Sequence, residues 1–310
     1  MIHTQTNCVG LLFENRLYVK RDDLIPFSFG GNKARKAELF FKDIDAGGYD
    51  CVITYGSASS NHCRVVSNQC CKRNMACCII SPEDVSEPTF NSRMMVLFGA
   101  EITKVPVSEV HDAIEKKIAE LRSAGKKPYF IEGGGHGNIG TEAYVQCYKE
   151  IKDYEDEHGV HFDYIFFASG TGTTQAGLVC GQILSGDDRQ IIGISIARKN
   201  PGGRNIVLDS IRAYLGNKAT EKEIQDRTMF VDDYTSGYGT DELKVTETIV
   251  NVMKNFGIPL DATYTGKAFM GMSKYIEDKN ISGKNILFIH TGGTPLFFDD
   301  IIKMGALKEI

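Results

Sequence analysis

Lys33 lies in the stretch Phe29-Gly30-Gly31-Asn32-Lys33-Ala34-Arg35-Lys36, directly before an apolar-periodic run made by Ala37, Phe40, Phe41 and Ile44. A Gly-Gly turn feeding a helix whose second residue is lysine can fix an amine at one place. An amine must lose its proton to act as a nucleophile, which exposed lysines rarely do at neutral pH. Alone, the stretch reads equally as a surface helix start with the basic neighbours Arg35 and Lys36. A second stretch changes the balance: Phe166-Phe167-Ala168-Ser169-Gly170-Thr171-Gly172-Thr173-Thr174-Gln175-Ala176-Gly177. Here an apolar strand ends in a Ser/Gly/Thr loop and a helix opens with small residues. Free amides, a helix dipole and several hydroxyls then converge on one anion, as in a phosphate cradle. A well-capped helix without a ligand is the plainer alternative. The loop has no G-K-[ST], and Gln175 stands where G-x-G-x-x-G requires its third glycine, so ATP, GTP and dinucleotide sites fit less well. An amine able to join an aldehyde, together with an anion site, is the pair that pyridoxal 5'-phosphate requires.

Three further stretches carry polar chemistry. Tyr55-Gly56-Ser57-Ala58-Ser59-Ser60-Asn61-His62 follows an extended run, and its hydroxyls and helix-start amides suit a carboxylate or a simple helix cap equally. Glu132-Gly133-Gly134-Gly135-His136-Gly137-Asn138 suggests close backbone approach or a flexible turn. The run Ile286–His290 leads into Thr291-Gly292-Gly293-Thr294-Pro295, with Tyr264-Thr265-Gly266-Lys267 upstream and Tyr238 in a glycine-flanked loop. Each tyrosine taken alone is more often a packing residue than a catalytic one.

These stretches need a scaffold of alternating strands and helices. Extended apolar runs are expected at 50–55, 75–81, 101–106, 128–132, 164–168, 191–197 and 285–290. Helical patterns fall at 32–46, 59–73, 88–98, 108–123, 140–156, 174–184, 242–255 and 265–278. The alternation predicts an α/β fold with two open, mostly parallel sheets in a large and a small domain. The segment from 43 to 141 holds four strands and is expected to form the small domain, leaving 1–42 and 142–310 as the large one. The chain has 310 residues, a net charge of −5 and 24% charged residues, which disfavours nucleic acid and anionic membrane as partners. Nine cysteines without a C-x-x-C, several in apolar runs, argue for free core thiols, no metal and a cytoplasmic, reducing location. The start of the chain shows no secretory signal pattern, and no run is long enough to span a membrane.

The motifs around Lys33, Ser60-Asn61, Ser169–Gly177, Tyr264–Lys267 and His290–Gly293, in this order and at these separations, make the chain resemble the aminocyclopropane-carboxylate deaminase and D-cysteine desulfhydrase family. That family has the tryptophan-synthase-β-like, fold type II architecture of pyridoxal-phosphate enzymes, and the resemblance covers about residues 17 to 298. It implies a cofactor in the cleft between two domains and a homodimer. Lys33 would carry the cofactor and later handle the α-proton of a small amino-acid substrate. Lys36 would face the phosphate, held also by Thr171, Gly172, Thr173 and Thr174. Asn61 would bond the phenolic oxygen, Ser60 would sit by the substrate carboxylate, and Tyr264 and Tyr238 match active-site tyrosines. Thr265 replaces a glutamate that faces the ring nitrogen in the deaminases, and Thr291 replaces a leucine. Both positions resemble the desulfhydrase branch. His62 stands where the family usually has glutamine, at a substrate- or cofactor-facing position, and Thr294-Pro295 replaces an Ala-Pro pair.

The expected activity is a pyridoxal-phosphate lyase that eliminates a β substituent from a D-cysteine-like amino acid, giving a 2-oxo acid and ammonia. β-Replacement or racemisation on the same fold is the alternative. A phosphate-binding protein without amine chemistry is the reading from another class.

Overall fold

The computed structural model describes residues 2–83, 87–234 and 242–304. In chain order the elements are β1 (Thr6–Leu12), β2 (Asn15–Lys20), α1 (Asn32–Gly47), β3 (Cys51–Tyr55), α2 (Asn61–Lys72), β4 (Ala76–Pro82), α3 (Phe90–Leu97), β5 (Glu101–Val105), α4 (Val110–Ser123), β6 (Pro128–Ile131) and α5 (Asn138–His158). They continue with β7 (Tyr164–Ser169), α6 (Thr173–Leu184), β8 (Gln190–Ser195), α7 (Gly202–Leu215), α8 (Glu221–Arg227), β9 (Met229–Val231), α9 (Glu242–Phe256), α10 (Thr265–Asp278), β10 (Asn285–Ile289) and α11 (Thr294–Met304). The chain divides into two compact units, residues 1–32 with 140–310, and residues 33–139. The first boundary therefore falls at 32/33 rather than at the expected 42/43, and nearly all of α1 belongs with the second unit.

The first unit is built on a six-stranded sheet in the order β1-β2-β10-β7-β8-β9. Only the β1–β2 pair is antiparallel. The inner strands are continuously apolar: Ile165, Phe166 and Phe167 of β7 are all fully buried, as a sheet covered on both faces requires. One core joins Phe166, Ile192, Ile194 and Phe288 from the sheet to Val245, Ile249, Phe269 and Met272 from α9 and α10. Helix α6 lies close to α5 through two glycines one turn apart. A Cβ on Gly177 would stand 2.3 Å from the Thr141 carbonyl oxygen, and one on Gly181 would stand 2.5 Å from the Tyr148 Cβ.

The second unit carries a four-stranded, all-parallel sheet in the order β5-β4-β3-β6. Ile53, Cys78 and Ile80 pack there against Val110 and Ile114 of α4. Helix α1 buries Ala34, Ala37, Phe40, Phe41 and Ile44, the i, i+3, i+4 stripe of an amphipathic helix. All nine cysteines are free thiols, seven of them buried. No helix among the described residues is long and apolar enough to cross a membrane.

Strands β1 and β9 and helices α7, α8 and α11 were not expected from the sequence. Helix α7 opens on Gly202-Gly203, which reads as a loop. Helix α8 has only seven residues, although its capping box, Thr220 with Glu223, was there to be seen. Helix α11 starts Thr294-Pro295, and proline is tolerated in a first turn because no intrahelical N–H is lost there.

Candidate active site

In the second unit the turn between β6 and α5 and the start of α1 bring Lys33 and Lys36 to one carbonyl. Lys33 Nζ donates to the Gly134 oxygen at 3.0 Å and Lys36 Nζ reaches the same oxygen at 3.5 Å. Gly135 permits this approach: a Cβ there would stand 3.3 Å from Lys36 Cδ, at a φ of +67°. Burial lowers the Lys33 amine from 10.5 to about 8, with the Cys63 thiol a smaller opposing influence. Burial, and then the neighbouring Lys33 charge, bring Lys36 well below the usual lysine range. No carboxylate pairs with Lys33 among the described residues, so its charge is held by a neutral carbonyl alone. At pH 7 about a tenth of such amines are unprotonated, against about three in ten thousand for a solvated lysine.

The start of α2 places Ser60, Asn61 and His62 in succession. Ser60 is the N-cap, its Oγ accepting from the Cys63 N–H at 3.2 Å. Its own hydroxyl proton and the Asn61 and His62 amides of α2 remain as donors, the usual surplus at a helix start. Gly56 keeps the approach open, since a Cβ there would lie 2.8 Å from Ser60 Oγ. The side chain of Asn61 is oriented by two residues that the sequence did not single out. Arg64 Nη1 donates to Asn61 Oδ1 at 3.0 Å and to Asn91 Oδ1 at 3.1 Å, while Asn91 Nδ2 donates to Asn61 Oδ1 at 3.0 Å and to the Ser59 carbonyl at 2.8 Å. A guanidinium has donors only, so both amide oxygens must face it. Asn61 therefore presents its NH2 outward as a donor. His62 Nε2 lies 2.8 Å from Thr54 Oγ1. His136 pairs with Glu132 at 3.5 Å on the unit's surface.

In the first unit, β7 runs through Gly170-Thr171-Gly172 into α6. Gly172 occupies the cap position at φ +94° and has no side chain to close it, and no acidic residue lies in the first turn. A helix start of this kind can receive an anion, and Thr171, Thr173 and Thr174 lie in its first turn and the loop before it. Gln175 does not face the loop. Its Oε1 accepts from Ser169 Oγ at 2.8 Å and its Nε2 donates to the Met229 carbonyl at 2.7 Å, filling space that Gly193 leaves by lacking a side chain. Asn32 ties two of the expected residues together: its Nδ2 donates to Thr174 Oγ1 at 3.1 Å and its backbone N–H to the Thr291 carbonyl at 2.9 Å.

Thr265 is fully buried and engaged with Asp261, another residue not singled out. The Thr265 hydroxyl donates to Asp261 Oδ2 at 2.6 Å and accepts from the Asp261 N–H at 2.9 Å. The amides of Thr263, Tyr264 and Thr265 also donate to this carboxylate. Burial pushes Asp261 above the usual carboxylate range, opposed by these bonds. Toward any ligand, Thr265 can therefore only accept. Burial raises the adjacent Asp300 to about 6, although its Oδ2 accepts the Ala262 N–H at 2.6 Å. Behind Thr291, the His290 Nε2 meets the Pro259 carbonyl at 2.7 Å and its Nδ1 accepts the Gly292 N–H at 3.2 Å, which selects the Nε2–H tautomer. Tyr238 lies outside the described residues.

Each unit thus carries part of what pyridoxal phosphate requires. One holds a half-buried amine without a carboxylate partner and an amide turned out as a donor. The other holds an open cap of amides and hydroxyls. The donor sets fit an aldehyde, a phenolic oxygen and a phosphate.

The α/β chain with its two mostly parallel sheets has the fold of the fold type II pyridoxal-phosphate enzymes. The chain matches the family of pyridoxal-phosphate dependent enzymes over residues 4–292 and belongs to it. A D-cysteine desulfhydrase of Serratia proteamaculans (strain 568) is 30% identical over 293 residues, covering 91% of this chain and 88% of that protein. A protein of Pyrococcus abyssi (strain GE5 / Orsay), described provisionally as a 1-aminocyclopropane-1-carboxylate deaminase, is 32% identical over 285 residues, covering 91% and 86%. The crystal structure of an ACC deaminase homologue superposes with a TM-score of 0.83 at 30% identity, covering 98% of this chain and 94% of the other.

Proposed function

We propose that the chain is a pyridoxal-phosphate lyase that converts a small, D-cysteine-like amino acid and water into a 2-oxo acid, ammonia and the released β substituent. The observation that carries this reading is the Lys33 amine, half-buried, lowered by desolvation to about 8 and held by the Gly134 carbonyl. Such an amine is nucleophilic enough to take a carbonyl cofactor and basic enough to take a proton from carbon. When bound, the cofactor supplies a sink for the electron pair left on the α-carbon.

The chain's own residues do the rest. Lys33 Nζ takes the α-proton, and the Gly134 oxygen fixes where that nitrogen stands. Ser60 and the first amides of α2 receive the substrate carboxylate, with Asn61 turning its NH2 toward the phenolic oxygen. Thr171, Gly172, Thr173 and Thr174 hold the phosphate, and the family resemblance has Lys36 face it. Tyr264 borders the substrate, the family resemblance alone gives Tyr238 an active-site role, and Thr265 and Thr291 line the cofactor ring. The unit of residues 1–32 and 140–310 serves as the large cofactor-binding domain and that of 33–139 as the small one. The thiol leaving group is supported by the D-cysteine desulfhydrases among the relatives. The free thiols fit a cytoplasmic protein, and the homodimer rests on the family resemblance.

The test is a panel of D- and L-amino acids with β leaving groups, incubated with cofactor-loaded protein and scored for oxo acid and ammonia. Release from D-cysteine-like substrates, lost in Lys33→Ala together with the visible absorbance of the bound cofactor, supports the proposal. A new amino acid formed only when a thiol is added would replace it with a β-replacement activity.

A further inference from the structure

Thr54 is the penultimate residue of strand β3 and is fully buried. Its hydroxyl donates to the Ile131 carbonyl of β6 at 2.8 Å, the residue opposite it in the parallel pairing. That bond uses the only proton Thr54 has. The 2.8 Å contact with His62 Nε2 must then run the other way, with the ring N–H donating and the threonine oxygen accepting. This fixes the tautomer: Nε2 carries the proton and Nδ1 bears a bare lone pair. Nothing among the described residues bonds to Nδ1, in a side chain only 4% exposed. Burial, then the Lys33 and Lys36 charges, hold the ring well below the usual histidine range, so it stays neutral.

The other groups at the start of α2 are donors: the Ser60 hydroxyl, the first-turn amides and the outward NH2 of Asn61. They suit the acceptor ends of a ligand, a carboxylate or a phenolic oxygen. His62 offers the complement, a neutral acceptor that has no proton to give on that side. A substrate whose carboxylate lies on the donors and whose side chain ends in S–H or O–H satisfies both. A side-chain carboxylate would meet a lone pair with no proton between them.

We propose that His62, held in the Nε2–H tautomer by Thr54, is a specificity-determining residue whose Nδ1 accepts the hydrogen bond of a β-thiol or β-hydroxyl of the substrate. This rests on the amino-acid reading of the site given above. It assigns a role to the position where this chain departs from glutamine. Thr54 is the positioning residue.

The experiment compares kcat/KM of cofactor-loaded protein for cysteine and serine, which carry a β donor, with that for β-chloroalanine, which carries none. His62→Phe should lower the first two ten- to a hundredfold and the third several-fold less. His62→Gln, whose carbonyl can accept, should recover most of the loss. An equal fall for all three substrates, or no recovery with glutamine, overturns the proposal. Should His62→Phe fail to fold, Thr54→Val keeps the histidine and removes its lock. Its histidine 15N shifts should then report both tautomers where the wild type shows Nε2–H alone, with discrimination reduced about threefold or more. An unchanged tautomer with unchanged discrimination overturns the proposal. If no amino acid yields oxo acid, the elimination reading falls and the binding question is still decided. Serine should perturb the cofactor absorbance at lower concentration than alanine in the wild type and lose that advantage in His62→Phe. Equal affinities in the wild type would refute the role of His62.

Discussion

Replacing Lys33 by methionine should stabilise the apoprotein at neutral pH, an unusual result for removal of a buried hydrogen-bonding group. The lysine is lowered from 10.5 to about 8, chiefly by burial. That difference corresponds to about 3 kcal/mol of unfavourable free energy while the amine is protonated. Methionine fills similar space without a charge, but loses the hydrogen bond to Gly134, worth about 1 kcal/mol. The net gain is about 2 kcal/mol at pH 7. The dependence on pH fixes the sign. Below about 8 both folded and unfolded chains hold the proton, so the whole cost is present. Between about 8 and 10.5 the folded chain releases the proton first, the unfolded state binds more protons, and the wild type gains stability as pH rises. The advantage of Lys33→Met should therefore shrink through this window and change sign near about pH 10, where the remaining cost of the charge equals the lost hydrogen bond. Urea titrations of both apoproteins from pH 7 to pH 10 measure it. A variant no more stable than wild type at pH 7, or a difference independent of pH, would refute the argument that desolvation sets this amine.

Asn91→Ala should leave Asn61 Oδ1 with Arg64 as its remaining donor and free the amide to turn; cofactor affinity, followed by absorbance, should fall about five- to thirtyfold. Thr265→Val removes one donor to a fully buried carboxylate and one acceptor for the Asp261 amide. Urea denaturation should show a loss of about 2 to 3 kcal/mol, and a loss below about 0.5 kcal/mol would mean that Asp261 does not need the hydroxyl. Gly177→Ala forces a Cβ to within 2.3 Å of the Thr141 carbonyl, a backbone atom that can yield only if α5 and α6 move apart. The loss of stability should exceed about 3 kcal/mol, whereas Gly159→Ala, where a Cβ meets nothing within 4 Å but φ is +62°, should cost only about 1 kcal/mol.

The alternation of strands and helices was legible because its signal is local: apolar runs of five or six residues between amphipathic stripes. The glycine turn before Lys33 and the open cap before Thr173 were legible for the same reason. The residues that orient the site were not. Arg64 is one basic residue within a helix, and its partner Asn91 lies 27 positions away. Thr54 sits inside an apolar strand, and only the register with β6 gives its hydroxyl a partner 77 positions away. Asp261 is different. An acidic residue four positions before Thr265, ahead of a helix start, is a readable capping signal. Gln175 was readable only as the absence of a glycine. Its place against Gly193 shows why glutamine is tolerated there.

The bond from Thr54 to Ile131 also bears on when during folding the site comes into being. Strands β3 and β4 are separated by one helix and pair early in the chain, but β6 must return past β5 and α4 to reach the other side of β3. Such a distant parallel pairing is slow, because a long loop closes before its contacts form. A partly folded second unit with β3, β4 and β5 assembled would have a sheet and much of its core. Thr54 would then have no carbonyl to bond, and the imidazole could carry its proton on either nitrogen. The last strand to join thus completes both the sheet and the chemistry, and a ribosome-bound chain ending before residue 128 would display the residues of α2 without their final polarity.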